Sequence, residues 1–196
     1  MGYGFSVYGV DLKKLRTARG SKNARLAAAI QKKQAARFTH ADDWFADDIA
    51  SGAPSLAIAL DELIAGKPTK KQYGFQYGYA LEVLCEHFGK RIDEGDLSSR
   101  IDESLDPLLE KAKKPTLSKL LRSGVFPLAI PEPRDFPEIG TIDAKAMTAL
   151  GSALAAIEPM IPPDDDELGV AWVIAEIRGW IARATKSRRS IVWFVY

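Results

Sequence analysis

The chain has 196 residues, a mass of 21.5 kDa and a formal net charge of +1. Hydrophobic residues make up 46% and charged residues 27%, a balance that suits a folded core and argues against disorder over most of the length. A single cysteine, Cys85, excludes an intrachain disulfide and any multi-cysteine metal site, and no run of about 18 apolar residues is present to span a bilayer.

In chain order, Met1 to Val10 alternates Tyr3, Phe5 and Val7 with Gly4, Ser6 and Tyr8, the period of a strand. Asp11 then caps a short helix to about Arg19, which Gly20 stops. Ser21 caps a second helix, Lys22 to Phe38, with Leu26 and Ile30 along one side and Lys22, Arg25, Lys32 and Lys33 along another. Thr39 opens a third, with Asp42 and Asp43 in its first turn, Trp44, Phe45 and Ile49 facing inward, and Gly52 at its end. Pro54 begins a fourth helix, whose apolar stripe is Leu56, Ala59, Leu60, Leu63 and Ile64. Gly66-Lys-Pro-Thr-Lys-Lys71 is a polar loop, and Phe75 to Phe88 reads as a largely buried helix that Gly89 stops.

Ser98 or Ser99 starts a further helix that Pro107 divides, and Pro115-Thr116 opens a short successor through Leu121. Gly124 to Gly140 interleaves four prolines with Phe126, Ile130, Phe136 and Ile139, the pattern of an extended segment pinned across the surface by its apolar side chains. Asp143 caps a helix to about Ile157. A final helix, Asp164 to Thr185, carries Asp164, Asp165, Asp166 and Glu167 at its N-terminal end and Arg183 and Lys186 at its C-terminal end, matching the helix dipole. Ser190 to Tyr196 is a run of β-branched and aromatic residues, the second clear strand. A lone strand leaves its backbone groups unpaired, so the two terminal strands are expected to pair in one small sheet. The result is a mostly helical α+β fold, one domain over residues 1–196.

The near-zero net charge conceals a segregation. Asp11 to Phe38 holds nine basic residues against Asp11 alone, a net of +8, and Ala41 to Gly66 holds six acidic residues and no basic one. Such blocks steer a charged partner, and Lys22, Arg25, Lys32, Lys33, Asp43 and Asp47 are the candidate partner-binding residues. The plainer alternative is that adjacent helices of opposite sign face each other and water. A second candidate is the segment Lys71 to His87. Tyr73, Tyr77, Tyr79 and Gln76 offer polar groups to a ligand, Gly74 and Gly78 permit close backbone approach, and Glu82 is a candidate acid or base if desolvated. The competing reading is a core in which the tyrosines bond backbone groups. Cys85 and His87 lie two positions apart on a helix and point away from each other, which suits core packing better than a nucleophile and its base. His40, Asp43 and Asp47 have helical spacing, but a solvated acidic face is the default and no metal is assigned.

The nucleotide-binding patterns GxxxxGK[ST] and GxGxxG and the hydrolase patterns GxSxG and HExxH do not occur, and no cofactor is expected. The opening Met-Gly-Tyr-Gly-Phe-Ser-Val-Tyr-Gly-Val-Asp-Leu12, the segment Pro54 to Gly66 and the ending Trp180-Ile-Ala with Ser190 to Tyr196 resemble the YfbM-like uncharacterised bacterial proteins. That resemblance implies a bacterial α+β protein with a short N-terminal strand, a Leu-rich helix ending in Gly and a terminal strand after the last helix. It transfers no catalytic residue. The leading expectation is therefore a cytoplasmic, non-enzymatic protein-binding module, with an immunity-type inhibitor as one form of it. The alternative is a small-ligand-binding or enzymatic domain using residues 73–82. Nucleic-acid binding through the basic helix 22–37 ranks third, because its cations lack aromatic interleaving.

Overall fold

The computed structural model describes residues 4–95, 105–121, 126–134, 136–161 and 169–196. Four strands, β1 (Phe5–Val10), β2 (Gly89–Gly95), β3 (Glu138–Ile142) and β4 (Ser190–Val195), form one antiparallel sheet in the order β2-β1-β4-β3. The two terminal strands pair as the sequence predicts, with Phe5 opposite Val195 and Val10 opposite Ser190. Around the sheet lie α1 (Leu12–Ala18), α2 (Ala24–Lys33), α3 (Ala35–Trp44), α4 (Ala46–Ala50), α5 (Leu56–Ala65), α6 (Gly74–Phe88), α7 (Asp106–Lys111), α8 (Leu117–Leu121), α9 (Ala144–Ile157) and α10 (Val170–Lys186).

The strand period of two explains how a small sheet organises so many helices. Phe5 and Val7 of β1 with Ile191, Trp193 and Val195 of β4 face the helices of the second half of the chain, meeting Leu109, Leu154, Ile177 and Trp180. Tyr8 and Val10 with Val192 and Phe194 face the other way, onto Leu15, Ile30, Leu60 and Leu84 of the first half. The two central strands are thus covered on both sides, which is why every residue of β1 is buried. The remaining strands escaped the sequence reading. β2, GKRIDEG, is polar and half exposed, and β3 emerges directly from the proline-rich segment.

Several element boundaries are corrected. Lys22 to Phe38 is two helices, because Gln34 leaves helical geometry and the chain turns before α3. The cap of α2 is Asn23, which accepts from the Leu26 amide at 3.0 Å, and Lys22 before it is left-handed at φ 54°. Thr39 lies inside α3 and donates to the Ala35 carbonyl, so Asp42 and Asp43 fall in the last turn of a helix and not the first. Asp42 instead accepts from the Leu56 amide at 2.8 Å, at the start of α5. Trp44 points outward, 76% exposed, because the turn at Phe45 sends that ring inward against Phe75 and Tyr79. The cap of α5 is Ser55 rather than a helix opening at Pro54. Asp11 and Asp143 cap α1 and α9 as read. The helix start at Ser98 or Ser99 and the acidic run Asp164 to Glu167 lie outside the described residues.

From Phe126 to Pro137 the described chain is extended strap rather than helix. It crosses α6 at its two small residues: a β-carbon at Gly78 would lie 2.9 Å from Pro137, and one at Gly74 would collide with the Glu132 carbonyl. Here the glycines admit a strap, where the sequence suggested close helix packing or a ligand.

Candidate functional site

Two groupings of polar side chains stand out, one buried and one exposed. The buried one centres on Glu82, in the middle of α6 and 3% exposed. The Tyr8 hydroxyl of β1 donates to its Oε1 at 2.7 Å, and the Arg37 guanidinium of α3 reaches its Oε2 while also bonding Glu86 at 2.6 Å. Tyr196 stacks on Tyr79 with ring centroids 5.5 Å apart. The cluster therefore joins β1, α3, α6 and the residue after β4. Burial, with the Glu82 carboxylate adding to it, pushes the Tyr8 and Tyr196 phenols well above their ordinary range and Tyr79 up to about 12. Burial acting alone would lower the Arg37 pKa, but the charge of Glu82 reverses that and raises it. The group is thus an Arg37 guanidinium bridging the side chains of Glu82 and Glu86, ringed by phenols that burial keeps protonated.

The other sequence candidates of this segment divide between roles. Tyr77 is buried and donates to Glu62, and it accepts from the Lys70 amide at 3.0 Å. Tyr73 is half-buried and donates to the Ser51 carbonyl at 2.8 Å. Gln76 is fully buried, and neither its amide nitrogen nor its oxygen has a partner. Cys85 is fully buried, and its thiol is raised well above the ordinary value by that burial, while His87 is lowered by partial burial and by Lys33. None of these residues lines the three surface grooves described below.

The exposed grouping is the basic block of α1 and α2. Lys13, Lys22, Arg25, Lys32 and Lys33 are exposed and make no ion pair among the described residues, and Lys14 has only a local one with Asp11 at 3.7 Å. Arg16 and Arg19 use their Nε groups to hold the strap, donating to the carbonyls of Pro127 and Ala129. Arg37 alone is drawn inward, to Glu82 and Glu86. In the acidic block Asp43 and Asp47 are exposed on α3 and α4. Among the described residues no ion pair joins the two blocks. The nearest approach to one is a neutral donor, Gln31 of α2, bonding Asp61 of α5 at 3.0 Å. Among the described residues the exposed charges of the two blocks thus face solvent and are not paired directly with each other.

Three grooves border this face. One of about 530 Å³ runs between α1 and α2, with Lys13 and Lys14 at its rim and Leu26 and Phe88 among its apolar residues. A second of about 380 Å³ lies between α2 and α5, with Lys22 and Asp61. A third, of about 490 Å³, is lined by Arg19, Lys67 and Lys71. Sequence reading found the basic block but missed the partners of Glu82, since Tyr8 and Arg37 lie 74 and 45 positions away. It also treated the loop 66–71 as inert. Among the described residues no three His, Cys, Asp or Glu side chains converge as metal ligands would, so His40, Asp43 and Asp47 do not form such a group. No helix among the described residues is long and apolar enough to cross a membrane.

The whole chain, residues 1–196, matches the model of one protein family, described as a domain of unknown function (DUF7691). Nothing in that match bears on the YfbM-like resemblance. No curated protein and no solved structure matches the chain.

Proposed function

The chain belongs to the DUF7691 family, whose description names no activity, and from its own geometry we propose that it is a protein-binding module that presents the basic face of α1 and α2 to an acidic partner protein. The observation that carries this reading is the set of five exposed cations, Lys13, Lys22, Arg25, Lys32 and Lys33, which make no ion pair among the described residues, while Arg37 of the same block is consumed internally. Such a surface raises encounter rates with an acidic partner and suppresses basic ones. The groove between α1 and α2 adds apolar area beside the charges, where a partner side chain gains affinity that charge alone does not supply. An inhibitor that covers an acidic active site, of the immunity type, is the form of this function that we favour, in the cytoplasm of a bacterium.

The test compares immobilised wild-type protein with the variant Lys22→Glu/Arg25→Glu/Lys32→Glu/Lys33→Glu in nuclease-treated extract of the source organism. One stoichiometric protein held by the wild type, released by salt and absent from the variant supports the reading. Equal retention on both proteins, or none on either, overturns it.

A second reading rests on Gln76, whose two amide atoms are buried without a partner beside the tyrosines of α6. Buried amides are normally satisfied, and a small polar ligand between residues 73 and 82 would satisfy this one.

A further inference from the structure

Where α1 and α5 end, their final turns touch. Gly20 and Gly66 both take left-handed backbone, at φ 75° and 76°, and a β-carbon on Gly66 would lie 2.9 Å from the Gly20 α-carbon. The Gly20 and Lys22 amides donate to Leu63 and Ile64 carbonyls across this contact. The consequence is that Arg19 and Lys67, the residues flanking the two glycines, come to one groove from opposite ends of the first 70 residues. The strap closes a third side: Arg19 donates through Nε to the Ala129 carbonyl at 2.8 Å, so Ala129, Ile130 and Pro131 form the wall.

The loop that brings Lys67 and Lys71 is held in place from behind. Glu62 accepts from the Thr69 amide at 2.9 Å, from the Thr69 hydroxyl at 2.5 Å and from the Tyr77 hydroxyl, and it does not itself line the groove. Those bonds keep its carboxyl below the usual range, against the effect of its burial. Among the described residues no carboxylate lines the groove, and three cations share its volume of about 490 Å³. Neither lysine makes an ion pair among the described residues, and the Nε bond to Ala129 leaves the terminal nitrogens of Arg19 unused.

We infer that this groove binds the phosphate group of a small phosphomonoester. Three clustered positive charges match a phosphate dianion better than a single carboxylate, and a guanidinium held by its Nε presents two coplanar donors suited to two phosphate oxygens. Pro68, Ile130 and Pro131 supply apolar contact for the ester's organic part. The site shares no lining residue with Lys22, Arg25, Lys32 and Lys33 and stands independently of the partner-binding reading.

The experiment is a titration of ¹⁵N-labelled protein with inorganic phosphate and with phenyl phosphate, using sodium chloride at matched ionic strength as the control. Saturable shifts of the amides of Gly66, Lys67, Thr69, Lys70, Lys71 and Ile130, tighter for phenyl phosphate than for inorganic phosphate, are expected. The exposed double substitution Lys67→Gln/Lys71→Gln is expected to weaken both by about tenfold or more, through loss of two charge-assisted bonds, with the rest of the spectrum unchanged, and Lys67→Arg/Lys71→Arg to restore them. Identical shifts with chloride, or unaltered affinity in the glutamine variant, would overturn the site. Tighter binding of a phosphoserine peptide than of phenyl phosphate would overturn the small-molecule assignment.

Discussion

Arg37 leaves the basic block it belongs to in sequence and pairs with Glu82, 45 residues further on, so that one cation of nine is spent inside the fold. The pair spans α3 and α6, and the Tyr8 hydroxyl ties it to the central strand β1. Removing one member of a buried ion pair leaves the other charge uncompensated, at a cost of about 3–5 kcal/mol. Arg37→Met is therefore expected to lower urea stability by roughly that amount. Arg37→Met combined with Glu82→Leu is expected to lose less than the sum of the single changes, as a double-mutant cycle reports.

Gly66 is required both by its backbone and by its neighbour. Its φ of 76° disfavours any β-carbon, and the Gly20 backbone fills the space where one would go. Gly66→Ala is expected to cost about 1–2 kcal/mol in chemical denaturation for the left-handed backbone alone, with the contact adding to it. Gly151, half-buried in α9 with open space where a β-carbon would go, gives the contrast. Gly151→Ala is expected to stabilise by about 0.5–1 kcal/mol, since alanine is the better helix former.

Glu62 sets the acid behaviour of the loop 66–71. Its folded pKa lies below the ordinary value of 4.5, so the unfolded chain takes up the proton first as pH falls. The stability it contributes is fully present above about pH 4.5 and is lost as pH drops through the lower folded value. Comparing wild type with Glu62→Gln by thermal denaturation from pH 7 to pH 3 should show a gap that closes toward the acid end. A gap that widens there would reverse the sign of this assignment.

The terminal strands were legible because β-branched and aromatic residues alternate or cluster at both ends of the chain, and the continuous apolar run Ile191 to Val195 is what burial on both faces of a strand demands. The polar β2 was not, because an edge strand with half its residues exposed carries no apolar signal. The break at Gln34 was hidden for a different reason. No glycine or proline marks it, and what it achieves, turning Phe38 and Arg37 toward α6, depends on residues far along the chain. The same holds for the sites. A run of cations is visible in one stretch of sequence, whereas the groove of Arg19, Lys67 and Lys71 exists only because two helix ends and a strap meet.

Gln76 separates packing from ligand binding. If the amide is only a burden of the core, Gln76→Leu removes two unsatisfied polar atoms and leaves stability unchanged or higher by about 1–3 kcal/mol in urea denaturation. A ligand site there predicts that a small molecule co-purifying with the wild type is lost from the Gln76→Leu variant, read by mass spectrometry of the denatured protein.

The central claim is that the exposed cations of α1, α2 and the turn between them form a surface for acidic polypeptide. The most direct measurement is a ¹⁵N NMR titration with poly-L-glutamate at low salt, repeated at physiological salt and against a DNA duplex. The account predicts saturable shifts confined to residues 13–33, weakened by salt and absent from the Lys22→Glu/Arg25→Glu/Lys32→Glu/Lys33→Glu variant. Shifts scattered over the molecule, or a marked preference for the duplex, would contradict it.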